Sequence, residues 1–190
     1  MSNSHHEASP RLPITDHRLP ITPELPALHL PDDAPAYARR LVDAVDRAVP
    51  TLAAMVDFDT AVRPAPGKWS PREIIGHLID SASNNHQRFV RMRERDDLVV
   101  DGYAQDEWVA AQRYQDAPWM ELVLLWELYN RHLARVMSAT PAPDRDRLRT
   151  RHNLDVRAFL TVPSDEPTTL GYFMSDYVDH LEHHLRQILG

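Results

Sequence analysis

Apolar residues recur every three or four positions in four separate stretches of this chain, and prolines stand between the stretches. No other feature limits the fold as much. Each stretch makes a helix with one apolar face, and that face has to be buried against another element. The first begins at Pro35 and carries Tyr37, Leu41, Val45, Ala48, Leu52 and Met55 on its stripe, with a bend or restart expected at Pro50. The second follows the segment RPAPG at 63–67. There Ser70, Pro71 and Glu73 combine an N-cap, a proline at the first helical position and a capping box, which satisfy amide donors that would otherwise lack acceptors. This helix is expected to run to about Arg95, where the charge run RMRERDD meets solvent. The third runs from about Pro118 to Ser138, with Asp116 as its candidate cap and Trp119, Leu122, Val123, Trp126, Tyr129, Leu133 and Val136 as its stripe. The stretch Pro141 to Thr169 sustains no period and reads as a long crossover, with a short helix or strand near Val156–Leu160. The fourth helix spans about Thr169 to Leu189. The expected fold class is therefore all-α: an up-down four-helix bundle with long connections, whose sites are built from side chains facing the bundle axis.

Residues 1–35 hold seven of the sixteen prolines and a near-tandem repeat, RLPIT at 11–15 and 18–22, and read as an extended or disordered tail. Residues 36–190 read as the bundle domain, since 190 residues at 43% hydrophobic content suffice for one sizeable core. The formal charge of −7 repels a phosphate backbone, so nucleic acid is not an expected partner. No apolar run approaches the roughly 20 residues of a membrane span, and the first residues lack a signal peptide's apolar block. A cytoplasmic protein without a membrane partner is expected. The chain has no Cys, so any metal must be held by His and carboxylates.

Near the C-terminus DHLEHHLRQILG places His180, His183 and His184 within five positions. At roughly 100° per residue, Leu170, Phe173, Tyr177, Leu181, Leu185 and Ile188 form the apolar arc of that helix. His180 and His184 fall on one edge of the arc, one turn apart and able to share an ion, while His183 turns away as a bystander. A two-histidine ledge is equally what a solvated helix surface produces, so a third ligand on a facing helix decides between them. The second helix offers His77, Ser81, Asn84 and Arg88 along one border of its buried arc of Ile74, Ile75, Leu78, Ile79, Ala82 and Phe89. That stripe fits the lining of an internal pocket, or ordinary boundary residues with His77 hydrogen-bonded in the core.

Two segments carry a family resemblance. GKWSPREIIGHLIDSASNNHQRF (67–89) and DYVDHLEHHLRQI (176–188) resemble the tryptophan-serine helix start, the histidine-leucine-x-aspartate segment and the terminal H-x-x-x-H-x-x-Q-I signature of the DinB/YfiT-like superfamily of bacterial four-helix proteins. GYAQDEWVAAQRY (102–114) is similar as well, and the resemblance covers roughly 37–189. It implies a three-histidine divalent metal site, nickel or zinc, held by His77, His180 and His184. It further implies an enzyme acting on a small molecule: a thiol S-transferase of the bacillithiol type, with a low-molecular-weight thiol as co-substrate, or a related hydrolase. The absence of Cys suits a thiol that arrives from outside, and suits inactivity as well.

Arg88, about three turns from His77, is a candidate for an anionic group of the substrate, with a surface salt bridge as its competing role. Tyr103, Gln105 and Asp106 are placed by the resemblance where they could cap the pocket. The alternatives are a non-catalytic metal-stabilised bundle, with a homodimer partner face using Trp108, Trp119 or Trp126 unless these are core, and a pH-responsive histidine cluster without metal. His5, His6, His17, His29 and His152 read as solvent-exposed, His86 as structural, and His132 as lying beside Leu133 with a position reaching the bundle interior as its minor alternative.

Overall fold

A computed structural model describes residues 26–190; His5, His6, His17 and both RLPIT repeats lie outside the described residues. The elements are α1 (Ala36–Ala54), α2 (Asp57–Thr60), α3 (Pro71–Met92), α4 (Gln105–Gln112), α5 (Trp119–Ser138), α6 (Ala142–Arg145), α7 (Leu154–Arg157) and α8 (Leu170–Leu189), with a 3-10 turn at Tyr114–Asp116. The four long helices are the four periodic stretches. Among the described residues extended backbone pairs only at two isolated bridges, Leu98 with His152 and Arg149 with Thr168.

The helix starts follow local chemistry. Glu73 N–H donates to Ser70 Oγ at 3.3 Å and Ser70 N–H donates to Glu73 Oε2 at 2.9 Å, the reciprocal pair of a capping box. Thr169 caps α8 in the same way by accepting from Tyr172 N–H at 3.0 Å. At α5 the cap is Pro118 and not Asp116, which lies in the 3-10 turn and pairs with Arg113 at 2.6 Å. Pro50 neither ends nor restarts α1, which continues to Ala54; the proline costs it one amide donor four residues from that end. The crossover helix forms at Leu154–Arg157, slightly ahead of the expected Val156–Leu160.

Helix α1 packs on α5 and α8, and α3 packs on the same two. Arg131 Nη2 bonds Asp46 Oδ1 at 2.7 Å and Trp119 Nε1 donates to Leu52 O at 2.8 Å, so α1 and α5 are antiparallel. Arg72 reaches Ala117 O at 3.0 Å while His86 lies against Tyr129, so α3 and α5 are parallel. His77 meets His180 at one end and Phe89 meets Phe173 at the other, which makes α3 and α8 antiparallel. The four-helix bundle is thus present, and its simple alternation is refined to up, down, down, up. The long connection through α4 produces this order by returning the chain to the side on which α3 began. Trp119 and Trp126 are 2% and 0% exposed, which makes them core and removes them from any partner face; Trp108 is 39% exposed.

Two buried arginines fasten the connections. Arg72 donates to Thr60 Oγ1 at 2.9 Å and to the carbonyls of Gln115 and Ala117 at 3.0 Å. Arg149, fully buried, donates to the carbonyls of Met92 and Asp144 at 3.1 Å and of Arg147 at 3.0 Å. The C-terminal end of α3 is the negative pole of its dipole, so a guanidinium there is doubly favoured. This anchor ends α3 at Met92, before the expected Arg95.

Candidate metal centre

His77 stands two turns inside α3 and is fully buried; His180 and His184 stand one turn apart on the antiparallel α8, each half-buried. One nitrogen of each comes within 4.8 Å of those of the other two. His77 Nε2 lies 3.2 Å from His180 Nε2, and the His77 and His184 rings are 4.8 Å apart. Two imidazoles on one zinc ion, each about 2.0–2.1 Å from it at a tetrahedral angle, hold their nitrogens roughly 3.3 Å apart, so the observed spacing fits a shared ion. His77 Nδ1 is buried with no hydrogen-bond partner, as is the second oxygen of Asp80, three residues along the same helix. The half-buried Trp69 ring lies 4.9 Å from that of His77, between the site and a second cavity.

Electrostatics favour the ligand form. Burial, and then the neighbouring charge of His184, push His77 down to about 3. Burial pushes His180 down to about 2, with His184, His77 and His183 adding to it. His184 is lowered as well, chiefly by burial. All three imidazoles are therefore neutral at pH 7, as ligands must be, and a cluster that switches charge near neutrality is disfavoured by the same burial.

His183 is more than a bystander. His184 Nδ1 donates to Gln187 Oε1 at 2.9 Å, and Gln187 Nε2 donates to His183 Nε2 at 3.1 Å. This relay puts the proton of His184 on Nδ1 and leaves its Nε2 lone pair for an ion. The sequence signal was present, since Gln187 follows the two histidines at three and four positions, one helical turn.

His180 and His184 open onto a cavity of about 390 Å³. Its walls are Ser81, Asn85 and Arg88 of α3, Phe173, Asp176 and Tyr177 of α8, Tyr103 and Gln105 of the connection, and the segment Val156–Phe159. A second cavity of about 670 Å³ lies beyond Trp69 and is lined by His184, Gln187 and Asp106. Of the residues expected to cap the pocket, Tyr103 and Gln105 line the first cavity and Asp106 the second. The polar stripe of α3 is corrected by one position. Asn85, not Asn84, faces the cavity, donating to Ser81 O at 3.0 Å and accepting from Arg88 Nη1 at 3.3 Å. Asn84 is occupied with Asp80 O at 2.9 Å.

Residues from the crossover had no periodic signal. Asp176, 4% exposed, accepts the N–H of Phe159 at 2.9 Å and of Leu160 at 2.6 Å, and so holds the cavity lip onto α8. His152 is corrected from exposed to 8% exposed: its Nε2 donates to Glu166 O at 2.7 Å and its Nδ1 accepts from Leu154 N–H at 3.2 Å. His132 is exposed, 4.9 Å from the half-buried ring of His86, so its minor alternative of reaching the bundle interior does not hold. His29 is exposed, as expected.

Comparison with known proteins adds three findings. The profile of the DinB superfamily matches residues 40–188. The chain is 28% identical over 132 residues to YfiT of Bacillus subtilis (strain 168), a stretch covering 69% of this chain and 67% of that protein. A solved structure of YfiT from Bacillus subtilis, described as a probable metal-dependent hydrolase with an unusual four-helix bundle topology, is similar with a TM-score of 0.65. That similarity covers 84% of this chain and 89% of the other at 17% identity, and it speaks to the fold alone.

Proposed function

This chain belongs to the DinB superfamily, and from that premise we propose that it is a divalent-metal-dependent hydrolase of a small molecule whose ion is held by His77, His180 and His184. One observation carries the reading. Three neutral imidazoles converge from two helices, no fourth His or carboxylate joins them among the described residues, and two of the three border a cavity. Structural zinc sites close all four positions with protein ligands, whereas catalytic sites keep one open. The arrangement therefore favours an enzyme over a metal-stabilised bundle. Histidine donors suit zinc and nickel alike.

A divalent ion bound there supplies Lewis acidity, lowering the pKa of water and polarising an electrophilic oxygen. The chain's own residues prepare that chemistry. Gln187 fixes the tautomer of His184, Trp69 covers His77, and Asp176 ties Phe159 and Leu160 into place beside His180. Hydrolysis is preferred to thiol transfer because the relative 28% identical in sequence is named as a metal-dependent hydrolase, while no feature of the cavity selects a thiol.

Protein stripped with a chelator and reloaded with zinc or nickel, offered ester and amide substrates with and without low-molecular-weight thiols, tests the proposal. Turnover that follows metal loading and disappears in His184→Ala is expected. Turnover only when a thiol is present would move the assignment to a transferase, and no metal-dependent turnover in either arm would overturn the enzyme reading.

A further inference from the structure

The geometry points to a two-arginine oxyanion subsite, Arg88 with Arg157, at the end of the first cavity away from the histidines, restricting its ligands to small acids that bear a carboxylate or phosphate. The inference rests on the proposed function only in treating this cavity as the substrate site.

Arg88 and Arg157 line the same cavity although they come from α3 and α7. The guanidinium of Arg88 lies 6.0 Å from the centre of the Phe173 ring, donates from Nη1 to Asn85 Oδ1 at 3.3 Å and from Nη2 to Asp101 O. That of Arg157 lies against the next residue, Gly102, where a Cβ would come within 2.2 Å of its Nη1. One short loop segment therefore holds both side chains at the cavity. Neither makes an ion pair with another described residue, in a chain whose 28 acidic residues outnumber its 21 basic ones. The carboxylate on the cavity wall, Asp176, is not available, since both of its oxygens accept backbone N–H groups.

The two guanidiniums repel each other, and half-buried Arg88 also loses hydration, while Arg157 stays exposed and the Asp101 carboxylate favours the charge of Arg88. An oxyanion removes both costs, and the planar fork of each arginine matches its oxygens. Along α8, Phe173 and His180 are seven residues apart, roughly 10 Å at 1.5 Å per residue. A ligand spanning them would place an acid at the arginines and its other end at the histidines.

The test titrates the full chain, metal-free and zinc-loaded, with inorganic phosphate, with glutarate, and with glutaramide as the neutral isostere of glutarate. Wild type is compared with Arg88→Gln and Arg157→Gln, with zinc content measured in parallel. The expected result is binding of phosphate or glutarate to metal-free protein, no binding of glutaramide, and at least a tenfold loss in each variant with zinc content unchanged. Whichever acid binds more tightly identifies the oxyanion. Arg157 is exposed, so Arg157→Gln decides the matter should Arg88→Gln fold poorly. Equal affinity for glutarate and glutaramide would overturn the proposal, as would anion binding that needs zinc and survives both substitutions. Anion binding in protein that takes up no zinc supports the subsite while removing the metal reading.

Discussion

At the scale of single residues the centre depends on protons held in the right places. His184 can offer Nε2 because Gln187 takes the hydrogen of Nδ1. Gln187→Ala should therefore weaken zinc binding about 10- to 100-fold while leaving the fold intact, as read by competition with a chromophoric chelator. Unchanged affinity would show the relay to be incidental. The depressed histidines also set a pH dependence. Their folded values lie below the ordinary value of about 6.5, so the stabilisation they give is complete above pH 6.5 and is lost as pH falls toward about 3 for His77 and about 2 for His180. Within that window each imidazole costs about 1.4 kcal/mol per pH unit, because the unfolded chain takes up a proton that the folded chain refuses. Urea unfolding of metal-free protein should show a fall in stability from pH 6.5 to pH 5 that is visibly smaller in His77→Gln. A variant that falls as steeply as wild type would contradict the burial argument. The convergence of His77, His180 and His184 was legible in part: helical angle gave the His180 and His184 pair and put His77 on a polar border, and the family motif joined the three. Asn85 was misplaced by one position because the cavity face of α3 is fixed by where α8 crosses it, which no single-helix projection contains.

At the scale of elements, each helix is placed by its ends as much as by its apolar face. The capping box at Ser70 sets the register of α3 and hence the depth of His77. Ser70→Ala should cost about 1 kcal/mol, or somewhat more because Gln115 Nε2 also donates to Ser70 Oγ at 2.8 Å. Denaturant midpoints would check this. Arg149 does the corresponding work at the other end of α3, and Arg149→Met should cost roughly 3 kcal/mol by leaving buried carbonyls of Met92 and Asp144 unsatisfied. A loss below about 1 kcal/mol would mean that water replaces the guanidinium. The start of α3 could be read directly, since Ser-Pro-x-Glu is local chemistry. Arg149 could not, because its partner at the end of α3, the Met92 carbonyl, is 57 residues away and one arginine among several in a proline-rich crossover looks solvated. Asp116 failed as the cap of α5 for a related reason: a 3-10 turn had already taken it, and Pro118 starts the helix with no side-chain bond.

At the scale of the whole molecule, periodicity was enough for four helices and one core, but not for the order of their directions. That order depends on where the connections cross, and the segments 93–118 and 139–169 carry no repeating pattern. The up, down, down, up arrangement has a functional consequence. It lays α8 antiparallel on α3, which brings residues about a hundred positions apart into one site and lets the crossover form the outer wall of its cavity. No described helix is long and apolar enough to cross a membrane. Chelator-stripped protein without a histidine tag, dialysed against zinc and then against buffer, would be assayed for metal by elemental analysis as wild type, His77→Ala and His180→Ala. One zinc ion per chain in wild type and none in either variant is the predicted result, and equal zinc content in all three would contradict the three-histidine centre.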